Sequence, residues 1–190
     1  MRKTIVSLFA TLDGFATGPK GDMSWVTGRF REDTGKYAHD QLFAADLLLL
    51  GRVTYEQMAG SWPSMTDDSG FADHMNETPK IVFSRTLKEP LTWNNSTLAK
   101  GDLAHEVSRL KERPGGDILV YGSISIVREL MNLGLVDRFR LWLHPVTLGG
   151  SGSDSIFEGY DMNEFELVDT TISESGVIVL DYEPVPPSGG

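Results

Sequence analysis

Apolar side chains in this sequence gather in short continuous runs, separated by stretches in which they recur at helical spacing. Asp46 to Leu50, closed by Gly51, is the clearest run, and Thr4 to Thr11, Lys80 to Ser84 and Ile118 to Tyr121 are further strand candidates. A run without polar interruption suits a strand buried on both faces. Between the runs, Ala38, Leu42 and Ala45 fall three or four residues apart in the segment from about Arg31 to Ala45, as one face of a helix requires. Thr54 to Ala59 reads as a shorter helix, and the polar segment Ser64 to Thr78 leaves room for another. Asp102 is placed to cap a helix carrying Leu103, Val107 and Leu110, which Pro114-Gly115-Gly116 stops. Ser123 stands likewise before Ile124, Val127 and Met131. From Phe139 to His144 the pattern alternates, with Phe139, Leu141 and Leu143 on one face and Trp142 on the other. Phe165 to Thr171 and Val177 to Tyr182 flank the turn Glu174-Ser175-Gly176 as a hairpin, and the Gly-rich stretch Asp13 to Gly28 reads as a loop.

Strands alternating with helices predict βαβ units and a largely parallel sheet covered on both faces, with the closing hairpin adding antiparallel strands. The expectation is one three-layer α/β domain over residues 1–183, followed by a disordered, Pro- and Gly-rich tail at 184–190.

Composition narrows the chemistry. The 190 residues include 17 Lys or Arg against 27 Asp or Glu, a formal net charge of −10 that argues against binding nucleic acid through its phosphate backbone. With no cysteine there is no disulfide, thiolate metal site or Cys nucleophile, and His39, His74, His105 and His144 never fall at a metal-ligand spacing, so no metal is expected. No apolar run is long enough for a membrane span or a signal peptide, which predicts a cytoplasmic protein without membrane contact.

In a sheet of this kind ligands bind at the carboxyl ends of the strands. The segments there are Leu12-Asp13-Gly14, Gly51-Arg52-Val53-Thr54, Ser84-Arg85-Thr86, Gly122-Ser123 and Leu148-Gly149-Gly150-Ser151-Gly152. Glycine lets a backbone approach a ligand closely, a helix start offers unpaired N–H groups, and Arg52 and Arg85 add forked cationic donors. Their recurrence at successive strand ends reads as a dinucleotide site spread over several loops. Taken singly, each has an ordinary structural reading: Arg52 as the i+4 partner of Glu56, Ser123 as a cap, Asp13 as a turn residue, Trp25 as core. Neither G-x-G-x-x-G in a βαβ setting nor a P-loop is present, and no G-x-S-x-G supports nucleophilic hydrolysis.

Ala10-Thr11-Leu12-Asp13-Gly14-Phe15-Ala16-Thr17, followed by Gly21-Asp22-Met23-Ser24-Trp25-Val26, resembles the start of the reductase domain of riboflavin biosynthesis, the C-terminal half of the bacterial bifunctional deaminase-reductase. Ala45 to Tyr55 is similar to the D-A-x-L-x-G-R-x-T element shared with dihydrofolate reductase. Lys80 to Thr86 is similar to the strand whose following Ser and Arg hold the NADPH 2′-phosphate. Ile118 to Ser123, Leu135-Val136-Asp137 and Pro145 to Gly149 follow in the family's order, so the resemblance spans about residues 3–183. The family's acidic-Gly-Gly element stands here as Tyr121-Gly122-Ser123, and Phe30 lies five residues after Trp25, where dihydrofolate reductase has its carboxylate.

The resemblance implies a dihydrofolate reductase-like αβα domain with a mixed, mostly parallel sheet and no deaminase domain. It also implies an NADPH-dependent reductase that transfers hydride to C=N or C=O of a small heterocycle, a pteridine or aminopyrimidine, much as 5-amino-6-(5-phosphoribosylamino)uracil reductase does. A nucleotide- or flavin-binding module without turnover is the alternative on the same fold. Carried over residue by residue, Gly51, Arg52, Thr54, Ser84, Arg85, Thr86, Gly122, Ser123 and Gly149 would hold the cofactor. Asp13 and Asp33 would be the catalytic carboxylates, and Trp25 and Glu32 would face the substrate. A homodimer is expected as well, because the family's domains commonly pair and Trp142 makes both faces of its strand apolar.

Overall fold

The computed structural model describes residues 1–186. The first half of the chain forms β1 (Thr4–Thr11), β2 (Phe15–Thr17), α1 (Ser24–Thr27), α2 (Glu32–Ala44), β3 (Ala45–Gly51), α3 (Arg52–Ala59), α4 (Phe71–Glu77), β4 (Lys80–Phe83) and β5 (Ser96–Leu98). The second half forms α5 (Leu103–Lys111), β6 (Asp117–Gly122), α6 (Ile124–Asn132), β7 (Arg138–His144), β8 (Ser153–Ser155), β9 (Phe165–Ile172) and β10 (Ile178–Pro184).

The unbroken leucine run of β3 shows why the sheet is central. Leu47 and Leu49 pack with Val6, Leu8, Val107 and Val127 on the side of α5 and α6. Leu48 and Leu50 pack with Leu42, Tyr55, Met75 and Trp93 on the side of α2, α3 and α4. Both faces are therefore apolar and both are covered. Eight strands lie in the order β5-β4-β3-β6-β1-β7-β10-β9. They are parallel from β5 through β7 and antiparallel at β7–β10 and β10–β9.

Most predicted elements lie within one or two residues of their expected bounds, and the departures have local causes. The stretch 13–28 is not a plain loop, because β2 pairs antiparallel with β8 as a separate ribbon and α1 makes a single turn. The helix after β3 begins at Arg52 rather than Thr54, with Gly51 as N-cap. Asp102 caps α5 as expected, accepting the His105 N–H at 2.8 Å. Ser123 occupies the N-cap position of α6, but its side chain makes no capping bond. β10 runs to Pro184, and Val185 N donates to Glu164 O at 2.9 Å, so residue 184 belongs to the sheet and not to a tail. The remainder of the expected tail, 187–190, lies outside the described residues.

Trp142 is covered within the chain. Its ring stacks on Phe30 with centroids 6.2 Å apart and meets Tyr37 of α2 edge-on at 5.2 Å. Its face therefore needs no second molecule, which corrects that ground for pairing. The open part of the sheet is β9, where every residue but Thr171 is exposed. No described helix is long and apolar enough to cross a membrane.

Candidate active site

β3 and β6 lie side by side, and α3 and α6 begin directly after them. Glycine makes this close junction possible. A Cβ on Gly51 would sit 2.5 Å from Ser123 Oγ, and one on Gly122, whose φ is +117°, would sit 3.0 Å from Thr54 Oγ1. Beside this glycine floor opens a cavity of about 600 Å³. Val53, Thr54, Gln57 and Met58 of α3 form one wall, and Ile124, Ser125 and Arg128 of α6 form the other. Ser7 and Phe9 of β1 and Tyr121 of β6 complete the inner end. The β2–β8 ribbon supplies the rim, where the Thr17 hydroxyl donates to Asp154 Oδ2 at 2.9 Å.

Two features of the cavity suit an anion, set against the carboxylates of Asp154 and Glu158 that also line it. The first-turn N–H groups of α3 and α6 have no intrahelical acceptor, and the dipoles of both helices favour negative charge at these ends. Arg128 adds a guanidinium 5.9 Å from the Tyr160 ring, and its buried Nε has no hydrogen-bond partner among the described residues.

The inner end is polar by a different route. Arg140, buried on β7, holds Asp181 of β10 through two bonds of 2.7 Å, and its Nη1 donates to Gln41 Oε1 at 3.1 Å. Ser7 Oγ donates to the same oxygen at 3.1 Å and accepts from Trp142 Nε1 at 3.0 Å. Gln41 Nε2 donates to Tyr121 Oη at 3.5 Å. Burial raises the Tyr121 hydroxyl above its ordinary pKa, so the group stays protonated.

Of the residues expected to form the site, the structure brings Thr54, Gly122 and Ser123 to the cavity, with Gly51 packed against Ser123 behind them. Arg52 is exposed and pairs with Glu56 at 2.7 Å. Ser84 Oγ accepts from the Thr86 and Leu87 N–H groups and closes the turn after β4, leaving Arg85 and Thr86 exposed.

The expected carboxylates make other contacts. Asp13 does not line the cavity, and it accepts from Leu148 N and Gly149 N, joining two strand-end loops. Hydrogen bonds from Thr11 and from those two N–H groups hold it below the usual carboxylate range. Asp33 accepts from Thr34 N and from Glu174 N, each at 2.7 Å, tying α2 to the C-terminal hairpin. Glu32 is exposed in the first turn of α2. Trp25 donates to Asp22 O and meets His144 edge-on at 5.1 Å, outside the cavity lining.

Sequence reasoning passed over Ser7, Tyr121 and Arg128. The one available signal was Ser7, a lone hydroxyl inside an apolar strand. Buried at the end of β7, His144 has no partner on either ring nitrogen. Desolvation, with Arg29 adding to it, lowers its pKa to about 4.

The sheet order and the cavity at the ends of β3 and β6 define a dihydrofolate reductase-like α/β domain. Within that class the chain belongs to the RibD C-terminal domain family, which matches residues 2–179. It is 33% identical over 184 residues to the uncharacterized protein YyaP of Bacillus subtilis (strain 168), covering 95% of this chain and 94% of that one. A protein from Shewanella sp. PV-4 shares the fold with a TM-score of 0.77 at 20% identity, covering 97% and 99% of the two chains. The diaminohydroxyphosphoribosylaminopyrimidine deaminase/5-amino-6-(5-phosphoribosylamino)uracil reductase of Thermotoga maritima shares it at 0.66 and 20% identity, over 97% of this chain and 57% of that one.

Proposed function

We propose that the chain is an NADPH-dependent reductase acting on a small heterocycle. The observation that carries this reading is the glycine-floored cavity between two helix N-termini, with Arg128 in its lining. Such a cradle fits a dinucleotide diphosphate, and a Cβ on Gly51 or Gly122 would push against Ser123 or Thr54 and part the two helix starts that form it. When bound, NADPH supplies hydride from nicotinamide C4 to a C=N or C=O carbon. Thr54, Ser123 and the first-turn amides of α3 and α6 hold the phosphates, and Arg128 balances their charge. Ser84 and Arg85, at the end of the neighbouring strand β4, take the 2′-phosphate. Phe9, Met58 and Ile124 exclude water from the reacting end, and Ser7 and Tyr121 orient the substrate. Membership of the RibD C-terminal domain family supports the reading.

Tryptophan-fluorescence titration with NADPH tests it. Saturable binding that Arg128→Ala weakens is the expected result. Failure to bind NADPH, with FMN bound instead, overturns it.

We also propose that two copies pair along β9, whose Leu167, Val168 and Ile172 are exposed on an unpaired edge. Light scattering should give about twice the 21.0 kDa chain mass, and Ile172→Lys should halve it. A single-chain mass for the unaltered protein refutes pairing.

A further inference from the structure

The inner end of the cavity carries two hydroxyls, Ser7 and Tyr121, and the network behind them decides which one has a proton to give. Arg140 has donors only, so the group of Gln41 that faces Arg140 Nη1 at 3.1 Å must be its carbonyl oxygen. The indole N–H of Trp142 is likewise a donor only, so Ser7 Oγ accepts it and turns its own proton to Gln41 Oε1. Both bonds leave the amide nitrogen of Gln41 facing Tyr121 Oη. An amide nitrogen does not accept, so Tyr121 must receive this bond. The Tyr121 proton then has no acceptor among the described residues, while the Ser7 proton is spent. Asp181 neutralises Arg140 through two 2.7 Å bonds, so the wall presents a neutral donor and not a positive charge.

We infer that Tyr121 determines specificity by offering its hydroxyl proton to the cavity. The atom seated against it is then a hydrogen-bond acceptor, a ring carbonyl oxygen or an unprotonated ring nitrogen, and not an amino group or ring N–H. Gln41 and Arg140 act as positioning residues. They touch no ligand, yet they fix the direction of the one bond that matters. The inference rests on the reading of this cavity as the substrate site, and it adds the polarity of the substrate edge that meets β6.

Quinoline and indole are suitable probes. They are fused rings of similar size, neutral at mildly alkaline pH, and one offers only an acceptor while the other offers only an N–H. Their affinities are compared by ligand-observed NMR in the absence of NADPH, and an NADPH titration of the same samples reports separately on the cofactor reading, so the two can fail independently. The unaltered protein should favour quinoline by roughly fivefold, the worth of one net neutral hydrogen bond. Tyr121→Phe, which keeps the ring, should abolish the preference. Gln41→Glu should reverse it, because a carboxylate there accepts from Tyr121 and leaves a phenolic lone pair facing the cavity. A merely structural role for Gln41 would not invert a donor–acceptor preference. Equal binding of the two probes, no binding of either, or a preference unchanged in both variants overturns the assignment.

Discussion

Mild acid should destabilise this protein through one side chain. His144 is 1% exposed, surrounded by the rings of Phe9 and Trp25, and has no hydrogen-bond partner on either nitrogen. Its pKa is lowered from an ordinary 6.5 to about 4, first by desolvation and then by Arg29. Between these two values the unfolded chain binds a proton that the native chain refuses. Stability therefore rises with pH across the window, falls as pH drops from about 6.5 toward 4, and is unaffected by this group above it. A gap of about 2.5 units corresponds to roughly 3 kcal/mol, of which about 2 kcal/mol is lost between pH 7 and pH 4.5. Urea unfolding at the two pH values measures it, with His144→Leu as the control that cannot titrate. The unaltered protein should lose about 2 kcal/mol more than the variant over the same interval. Equal losses would show that His144 reaches solvent or a partner in the native state, and the argument from burial would fail.

Lys80 is buried with its Nζ donating to the carbonyls of Asn76, Thr78 and Asn94 at 2.9, 2.7 and 3.2 Å, over the Trp93 ring. Lys80→Met strands all three and should lower unfolding stability by roughly 3 kcal/mol, read by denaturant titration. On the proposed cofactor reading, Arg85→Ala should weaken NADPH about tenfold and leave NADH nearly unchanged, since one charge-assisted bond to the 2′-phosphate is removed. Equal losses for both cofactors would free Arg85 from that role. Asp13→Ala should speed amide hydrogen exchange at Leu148 and Gly149, the two N–H groups its carboxylate holds, while Asp13→Asn keeps an acceptor and the slow exchange.

Legibility from sequence followed the range of the interaction. Leu47 to Leu50 announced a doubly buried strand because both neighbouring faces demand the same kind of side chain, and Asp102 announced a helix start because its partner is three residues away. That Gly51, Thr54, Gly122 and Ser123 come together was legible from their place at strand ends, where the fold gathers loops whatever the ligand. β2, β5 and β8 were missed, since three residues carry no measurable period. The contacts of the acidic residues were not legible for another reason. The N–H groups that Asp13 and Asp33 hold belong to turns 135 and 141 positions away, and no local pattern distinguishes a loop tie from a catalytic carboxylate. Ser7 and Tyr121 acquire direction only from Gln41, Arg140 and Trp142, side chains on two other elements, α2 and β7.

β10 is among the last parts of the described chain to leave the ribosome, yet it does not lie at the sheet's border, since it slots between β7 and β9. With it arrives Asp181, the counter-charge for Arg140. A nascent chain that has emerged only through β7 already carries Arg140, Gln41, Ser7 and Tyr121, but its Arg140 has no carboxylate to meet, so an uncompensated positive charge stands behind Gln41. The wall that the complete sheet presents as neutral would then carry a net positive charge. The neutrality of that wall therefore depends on one of the last strands of the described chain, and a protease cut ahead of residue 178 would remove its counter-charge.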